Sequence, residues 1–414
     1  MRSKIAGLAV AELARRFGTP TFVYDAAVML RRLADLAAFD HVRYAQKACS
    51  NLAVLDLLRR HGALVDAVSG GEIRRALAAG YTAGGQPPPI MYTADIFDAE
   101  ALDLCVQRDI HVNCGSLDML DQLGSRAAGR RITLRVNPGF GHGHSRKTNT
   151  GGDQSKHGIW HDQIGEALRR ARRWQFSVTG LHMHIGSGAD LEHLSQVCAA
   201  MEKAAQAVGP SLKSISAGGG LPIPYRPGES YLDLDAYFAR WNDTRSRLQE
   251  RLGHGVTLEI EPGRYLVAES GWLLTEIRAV KRQGDNLFYL LDAGFNNLAR
   301  PILYGAYHPM SIVPADGNLA RPERDVIVGG PLCESGDIFT QAEGGYVESR
   351  RLPEAAVGEL LLIECAGAYG FVMGSNYNSR PLAAEVLLRD GQAHLIRARQ
   401  TFEDLVRGEV IPEA

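Results

Sequence analysis

Three side chains that could do chemistry stand at or near the ends of short apolar runs. Lys47 follows "VRYAQ", Asp66 lies in "ALVDAV", and Glu261 ends "TLEIE". A lysine amine can form a Schiff base with a carbonyl group, and a carboxylate can keep a ring nitrogen protonated. Each residue alone is more simply explained as a solvated strand end or a satisfied core residue. Their shared position at strand ends is what indicates chemistry.

Two glycine-containing loops follow the apolar runs "SISA" and "TLEIE". "SAGGGLPIPY" contains Gly218 to Gly220, and "EPGRYL" contains Gly263 and Arg264. Glycine lets backbone N–H groups approach a phosphate because no Cβ intervenes. A triple glycine alone is unspecific, but the last two loops of a (β/α)8 barrel often hold a phosphate group.

A lysine, a carboxylate and two glycine-containing loops that could bind a phosphate together suggest pyridoxal 5'-phosphate. Lys47 would bind the cofactor covalently, and Glu261 would keep the pyridine nitrogen protonated. Asp66 could pair with the Lys47 amine once substrate releases it. A helix N-cap or turn residue explains Asp66 equally well.

The segment "LHMHIGSG" places His182 and His184 two residues apart, hence on one face of a strand. A metal site is the alternative, but the other strand ends offer no second histidine pair. We therefore expect no metal, with His184 over the cofactor ring and Ser187 near its phosphate. His142 and His144 lie in a long glycine-rich segment that is more typical of a loop over the barrel mouth than of a metal site.

The elements that must position these residues alternate between strand and helix. Polar or glycine-containing turns and Ala/Leu/Arg-rich segments of helical period separate eight strand-like runs, which predicts a (β/α)8 barrel. The runs are 42–46, 63–68, 90–94, 110–114, 132–137, 178–184, 214–217 and 257–261.

After about residue 281 the helical period largely disappears, and strand-like runs separated by Gly, Pro and Asp predict a C-terminal antiparallel β domain. The predicted domains are the barrel over 26–280 and the β domain over 281–414. The strand-like "TFVYD" predicts that residues 1–25 join the β domain.

Composition excludes several classes of protein. The 414 residues carry a formal net charge of −2, with 45% apolar and 22% charged residues, so we expect neither a disordered chain nor a nucleic-acid partner. Charged residues interrupt the apolar N-terminal run, which predicts no signal peptide, and no stretch is long enough to span a bilayer. Six cysteines without a CxxC pair are typical of a cytoplasmic protein.

The ordered set of motifs resembles the diaminopimelate decarboxylases, a family of alanine-racemase-like pyridoxal-phosphate enzymes. The resemblance runs nearly end to end and rests on many segments, of which single ones are unspecific. They include "YAQKACSN", "DAVSGGEIRRALAAG", "HMHIGSG", "AGGGLPIPY", "EIEPGRYLVAESG", "DAGFNNLARPILYGAYHP", "GPLCESGD" and "GAYGFVMGSNYNSRPLAAEVL".

The resemblance implies a role for particular residues. Lys47 is the expected attachment lysine, His184 the residue stacked on the ring, and Glu261 the partner of the pyridinium. The residues expected around the phosphate are Gly218, Gly219, Gly220, Gly263, Arg264 and Tyr369. The family also implies a homodimer in which the opposite subunit contributes "CESGD", so that Cys333 acts beside the other chain's Lys47.

The expected reaction needs an acid that protonates Cα after CO2 has left. Cys333 is the candidate because it stands in "PLCESG" and not within an apolar periodic run. Without the resemblance, a structural and a catalytic cysteine are equally good interpretations.

The far end of the expected substrate carries a second amino-acid group. Arg300, with Arg264 and Tyr304, is the candidate for binding its carboxylate, and Glu334 for its ammonium. Tyr369 is also expected to contact the substrate. A surface salt bridge is the simpler explanation of Arg300 alone. Ornithine and arginine end in a cation, so an enzyme for them would place an anion at this position.

The resulting hypothesis is decarboxylation of meso-2,6-diaminopimelate at its D-configured centre to L-lysine and CO2, the last step of lysine biosynthesis. One alternative is a related decarboxylase for another basic or carboxylated amino acid. A barrel metallohydrolase built on His182 and His184, and a non-catalytic homologue, are two others. A non-catalytic homologue would be expected to lose Lys47 or Cys333, and both residues are present.

Overall fold

The structure is a computed structural model that describes residues 2–141, 150–184, 186, 191–318 and 320–413, with only the backbone described at 191 and 192. The strands are β1 (Lys4–Ile5), β2 (Leu8–Ala9), β3 (Thr21–Asp25), β4 (His41–Ala45), β5 (Leu64–Ala67), β6 (Ile90–Ala94), β7 (His111–Cys114), β8 (Arg131–Asn137), β9 (Ile159–Trp160), β10 (Ser177–His182), β11 (Ser214–Ser216), β12 (Thr257–Ile260), β13 (Gly271–Gln283), β14 (Asn286–Leu291), β15 (Met310–Val313), β16 (Glu323–Gly329), β17 (Arg350–Pro353), β18 (Leu360–Ile363), β19 (Ala384–Arg389) and β20 (Gln392–Arg397). The α-helices are α1 (Val10–Phe17), α2 (Ala26–Ala34), α3 (Leu52–Arg60), α4 (Gly70–Ala78), α5 (Ala99–Gln107), α6 (Leu117–Gly124), α7 (Ile164–Arg173), α8 (Leu191–Val208), α9 (Leu234–Leu252), α10 (Arg264–Val267), α11 (Arg300–Tyr304) and α12 (Phe402–Leu405).

The chain divides into two units. The barrel unit comprises residues 30–223 and 230–266, and the β unit comprises residues 1–29, 224–229 and 267–414. The sequence-based boundary at residue 280 falls inside β13, because residues 271–277 already form a largely buried strand that belongs to the β unit. The division after β12 therefore comes at residue 267.

Eight parallel strands close the barrel unit, as the sequence predicts. They run in the order β4, β5, β6, β7, β8, β10, β11 and β12, and β12 pairs with β4 to complete the ring. The short β9 pairs with the end of β8 outside the ring. Parallel strands place all their carboxyl ends at one mouth of the barrel.

Side-chain caps begin several barrel helices where the strand-to-helix turns end. Asn51, Ser69, Asp98, Ser116 and Asp233 each accept a hydrogen bond from a backbone N–H in the first turn of the helix that follows. Such caps satisfy N–H groups that have no partner within the helix. They fix where each turn at the barrel mouth stops.

The β unit is built on a mainly antiparallel sheet of nine strands. The main path is β17, β16, β14, β13, β3, β19 and β20, and β18 joins β13 to β15. β3 pairs with both β13 and β19, so an N-terminal strand lies in the middle of a C-terminal sheet. Its core includes Val23, Trp272, Leu274, Leu362 and Val386.

In the parts of the chain that the structure describes, every helix is too short or too polar to cross a bilayer.

Candidate active site

Lys47 lies immediately past β4, in a 3-10 turn formed by residues 46–48. Its side chain is exposed, whereas the neighbouring Gln46 is fully buried and donates to the carbonyl of Glu72 at 3.1 Å. The turn also packs on the loop after β12, because a Cβ added at Gly263 would lie 3.1 Å from the Ala45 carbonyl oxygen. Backbone contacts therefore hold the lysine at the barrel mouth while leaving its amine accessible.

Glu261 stands one residue past β12 at the centre of a buried hydrogen-bond network. Its Oε2 atom is 2.8 Å from His182 Nε2, and its Oε1 atom accepts from the Ser216 hydroxyl at 3.0 Å. Ser216 in turn accepts from the Gly218 backbone N–H at 3.1 Å. Burial alone would raise the pKa of Glu261, but His182 and Ser216 outweigh it and lower that pKa to about 2. The carboxylate is ionised at neutral pH.

The triple-glycine loop after β11 is shaped by close backbone packing. A Cβ at Gly218 would lie 2.5 Å from the Met183 carbonyl oxygen, and one at Gly219 would collide with the Glu261 carbonyl. Gly220 adopts a φ of +92°, and a Cβ there would lie 3.0 Å from His184 Cε1. No other residue type could follow this path without shifting the backbone. The loop, His184 and Glu261 are thus brought together.

Asp66 is a buried carboxyl within β5, with 4% of its surface exposed and no hydrogen-bond partner for Oδ1. The N-cap interpretation is wrong, because Ser69 caps the helix that follows. Burial, and then the charge of Glu261, raise the pKa of Asp66 well above its ordinary value, and the charge of Lys47 opposes this rise.

β10 ends at His182, so the strand alternation does not extend to His184. His184 lies in the following loop, where its carbonyl accepts from the Thr150 hydroxyl at 3.0 Å. Burial, together with the cationic Arg135 and Lys47, lowers the pKa of His184 well below its ordinary value, so the ring is neutral. A neutral, partly buried imidazole is suited to packing on an aromatic ring.

Three predicted residues fall outside the described chain, namely Ser187, His142 and His144. Asn137, the last residue of β8, organises the loop that follows, since its amide donates to the carbonyls of Gly152 and His157 at 3.0 and 3.1 Å. Among the described residues no group of three or more His, Cys, Asp or Glu side chains is arranged to hold a metal ion. His182, the expected metal ligand of the alternative hypothesis, is engaged by Glu261.

In the β unit, Arg300 begins α11 and is 5% exposed. Its Nη1 atom donates to the Tyr225 hydroxyl at 3.1 Å and lies 3.0 Å from His308 Nε2. Among the described residues no carboxylate pairs with Arg300 within ion-pair distance. The surface salt bridge expected from the simpler interpretation is therefore not what the described structure contains.

The other candidates of the β unit are on turns. Cys333 and Glu334 are exposed, and the Cys333 backbone N–H donates to Asn378 Oδ1 at 2.8 Å. The buried Asp337 accepts from the Leu332 backbone N–H at 2.8 Å and so shapes the turn that presents the cysteine.

Tyr304 ends α11 and is partly buried. Tyr369 adopts a φ of +56°, a conformation that is uncommon outside glycine and that often marks a functional site.

The barrel unit fits pyridoxal phosphate on observations of its own. His182 Nδ1 and Asp66 Oδ1 are buried polar atoms without a partner in the described structure, which is costly unless something else satisfies them. The triple-glycine loop carries no side chains of its own, and the ionised Glu261 suits a protonated ring nitrogen.

Sequence reasoning missed several residues that hold these groups in place. The sequence pattern suggests His182 only as a metal ligand. The available signal for its real contact is the barrel order, which places the strand of His182 two strands away from the strand that directly precedes Glu261. Ser216, Tyr225 and His308 carry no local signal, because their contacts join residues between 8 and 75 positions apart.

The chain is similar to known pyridoxal-dependent decarboxylases in sequence and in fold. The family model described as "Pyridoxal-dependent decarboxylase, pyridoxal binding domain" matches residues 27–268. The diaminopimelate decarboxylase of Escherichia coli strain K12 is 53% identical over 401 residues, covering 96% of each chain. That of Streptomyces coelicolor is 52% identical and covers 98% of this chain and 92% of its own.

A solved structure described as a diaminopimelate decarboxylase superposes with a TM-score of 0.93 at 54% identity, covering 95% of this chain and 94% of the other. Fold and sequence agree over nearly the whole chain. The chain belongs to the diaminopimelate decarboxylase family of pyridoxal-phosphate-dependent decarboxylases.

Proposed function

We propose that the protein decarboxylates meso-2,6-diaminopimelate at its D-configured centre, giving L-lysine and CO2 in the last step of lysine biosynthesis. The observation that carries the substrate assignment is Arg300, a buried guanidinium whose described hydrogen-bond partners are neutral. Burying an unpaired cation is costly, so such a group is usually retained to bind an anion. A substrate with a second carboxylate supplies that anion.

His308 fixes how Arg300 is presented. His308 Nδ1 lies 3.0 Å from the Glu364 carbonyl oxygen, which can only accept, so Nδ1 carries the proton. Nε2 is then an acceptor and receives the Arg300 N–H at 3.0 Å. The Tyr225 hydroxyl holds the same nitrogen, so that the rest of the guanidinium fork remains to bind a carboxylate with two parallel hydrogen bonds.

The barrel unit supplies the residues that would hold the cofactor. Lys47 would bind it covalently, Glu261 would pair with its ring nitrogen, and His184 would pack on the ring. Gly218 to Gly220, Gly263, Arg264 and, from the β unit, Tyr369 are proposed to surround the phosphate, as is Ser187. When bound, the cofactor accepts the electron pair that the departing CO2 leaves behind.

Cys333 is the proposed acid of the reaction. Loss of CO2 breaks the bond between Cα and the carboxylate carbon, and the Cys333 thiol is proposed to donate the proton that completes the new C–H bond at Cα, which leaves Cys333 as a thiolate. Glu334 is proposed to bind the ammonium group at the far end of the substrate, with Arg264, Tyr304 and Tyr369 supporting Arg300.

We further propose a homodimer in which Cys333 and Glu334 of one subunit complete the site of the other. Both side chains are exposed on a turn of the single chain. Such exposure supports the proposal, because a residue that reaches the site of another subunit must lie at the surface of its own. The proposed location is the cytoplasm, where the six cysteines, all of them in the described chain and none in a disulfide, would remain reduced.

The direct test is CO2 and lysine release from meso-diaminopimelate by cofactor-loaded protein, with L,L-diaminopimelate, ornithine, arginine and lysine in parallel. We expect turnover of meso-diaminopimelate alone. Preferred turnover of ornithine, arginine or lysine would leave the decarboxylase class standing and overturn the role of Arg300.

A further inference from the structure

The barrel has a second opening at the amino-terminal ends of its strands, away from Lys47. A cavity of about 820 Å³ lies there, lined by the first residues of six strands: His41, His111, Arg131, Ser177, Ser214 and Thr257. Its volume is within the range of about 300–1,000 Å³ that is usual for small-molecule sites. None of the residues proposed for decarboxylation lines this cavity.

The cavity is polar at a depth where barrels of this type are usually filled by branched apolar side chains. Arg43 and Glu259 form a buried ion pair there, with Nε and Oε2 2.6 Å apart, and Glu259 lines the cavity. Arg43 also donates to the Pro88 carbonyl at 2.7 Å. The charge of Glu259 is therefore already neutralised from within the protein.

Cations exceed anions around the opening. Arg130 pairs with Asp109, but neither Arg131 nor Lys213 forms an ion pair with any described residue. The neutral Gln86 amide faces the Arg131 guanidinium, and its oxygen accepts from that guanidinium when the amide is turned to match donors with acceptors. Burial and the nearby Arg43, Arg131 and Arg130 lower the pKa of His111 to about 3, as expected in a region of positive potential.

The two unpaired cations are separated by one strand. Arg131 begins β8, Lys213 directly precedes β11, and β10 lies between them, paired with both. Neighbouring strands are about 4.8 Å apart, so the two Cα atoms are separated by roughly 10 Å. Long side chains that start at this separation can converge on two carboxylates of one molecule, whereas a single compact anion would satisfy only one of them well.

We infer that this cavity is a second binding site, for a small di- or tricarboxylate held between Arg131 and Lys213. It is distinct from the site at the Lys47 end of the same barrel and does not depend on the decarboxylation that we propose.

The test is calorimetric titration of citrate into cofactor-loaded protein at low ionic strength. We expect saturable binding to the natural chain, and binding roughly tenfold or more weaker in the double variant Arg131→Gln/Lys213→Gln, because two charged contacts are lost. Lys203→Gln is the matched control, since this exposed lysine of α8 lies outside the cavity lining, and it should bind citrate as the natural chain does.

Arg300→Gln separates this site from the proposed substrate site. It should leave citrate binding unchanged, and acetate should bind far more weakly than citrate to the natural chain and to Arg300→Gln. Lack of saturable citrate binding by the natural chain, unchanged affinity in the double variant, or loss of binding in Arg300→Gln would each overturn the inference. Far-UV circular dichroism checks folding, and Lys213→Gln alone serves as the test if the double variant does not fold, because Lys213 is exposed.

Discussion

The barrel unit and the β unit contain their buried charges in different ways. In the barrel unit, Glu261 is paired with His182 and Ser216 within the folded chain, and Arg43 is paired with Glu259. In the β unit, Arg300 is equally buried but its described partners are neutral. A charge paired within the chain is positioned before any ligand arrives, whereas a charge with neutral partners gains its counter-ion only on binding. The first arrangement suits a resident cofactor and the second suits a substrate that comes and goes.

The largest effect is expected from removing Lys47, the proposed site of covalent cofactor attachment in the barrel unit. We expect Lys47→Ala to lose turnover and the visible absorption of the bound cofactor, because the other residues of its turn, Gln46 and Ala48, have no amine that could form a Schiff base. Absorption spectra and CO2 release measure both effects, with the exposed Lys203→Ala as control. Full turnover in Lys47→Ala would contradict the proposed mechanism.

The second prediction concerns the proposed acid in the β unit. Cys333→Ala should lower kcat by roughly 100- to 10,000-fold while the cofactor stays bound, because a positioned acid contributes about that much. The buried Cys198→Ala should keep near-normal kcat. Mixing Lys47→Ala and Cys333→Ala chains should restore part of the activity if sites are shared between subunits, and no recovery would rule that sharing out.

The third prediction concerns Arg300, the buried charge of the β unit whose described partners are neutral. Arg300→Met should raise KM for meso-diaminopimelate about 10- to 150-fold, the loss expected for charged hydrogen bonds. It should leave the melting temperature unchanged or higher, because a buried cation without a described counter-ion is removed. Steady-state kinetics and thermal unfolding of the same preparation test both parts, and an unchanged KM would remove Arg300 from the substrate site.

The last prediction uses the pH dependence of stability at Glu261. Its pKa is lowered from 4.5 to about 2 on folding, so its contribution is present above about pH 4.5 and is lost as the pH falls toward 2. Glu261→Gln should therefore be less stable than the natural chain at pH 6.5, by an amount on the order of 3 kcal/mol, and the difference should shrink below pH 4.5. Urea unfolding at several pH values measures it, and a difference independent of pH between 6.5 and 3 would refute the assigned cause.

Features that depend on neighbouring residues in the sequence could be predicted, whereas contacts between residues far apart in the sequence could not. The eight barrel strands were predicted to within a few residues at either end, because alternation of apolar runs with helical segments is a local pattern. The predicted boundary of the β unit lies too far along the chain. β13 begins with mainly apolar residues at 271–277 and ends with polar ones, and the change in sequence pattern that predicts the β unit is visible only in the polar half.

The site shows the same limit. Lys47, Glu261 and the glycine loop were identifiable because strand ends converge in a barrel. The contact of His182 with Glu261 spans 79 positions, and that of Arg300 with Tyr225 spans 75, so no local pattern could reveal them. Burial of Arg300 likewise depends on residues that only the folded chain brings together.

The pairing of β3 has a consequence for how the chain is made. β3, at residues 21–25, hydrogen-bonds to β13 and to β19, and β19 ends at residue 389. During synthesis the first strand of this sheet must wait until almost the whole polypeptide has left the ribosome, whereas the barrel segment is complete at residue 266. The order of translation therefore favours a folded barrel before the β unit assembles, and loss of residues 384–414 would remove β19 and leave β3 without one of its two neighbours.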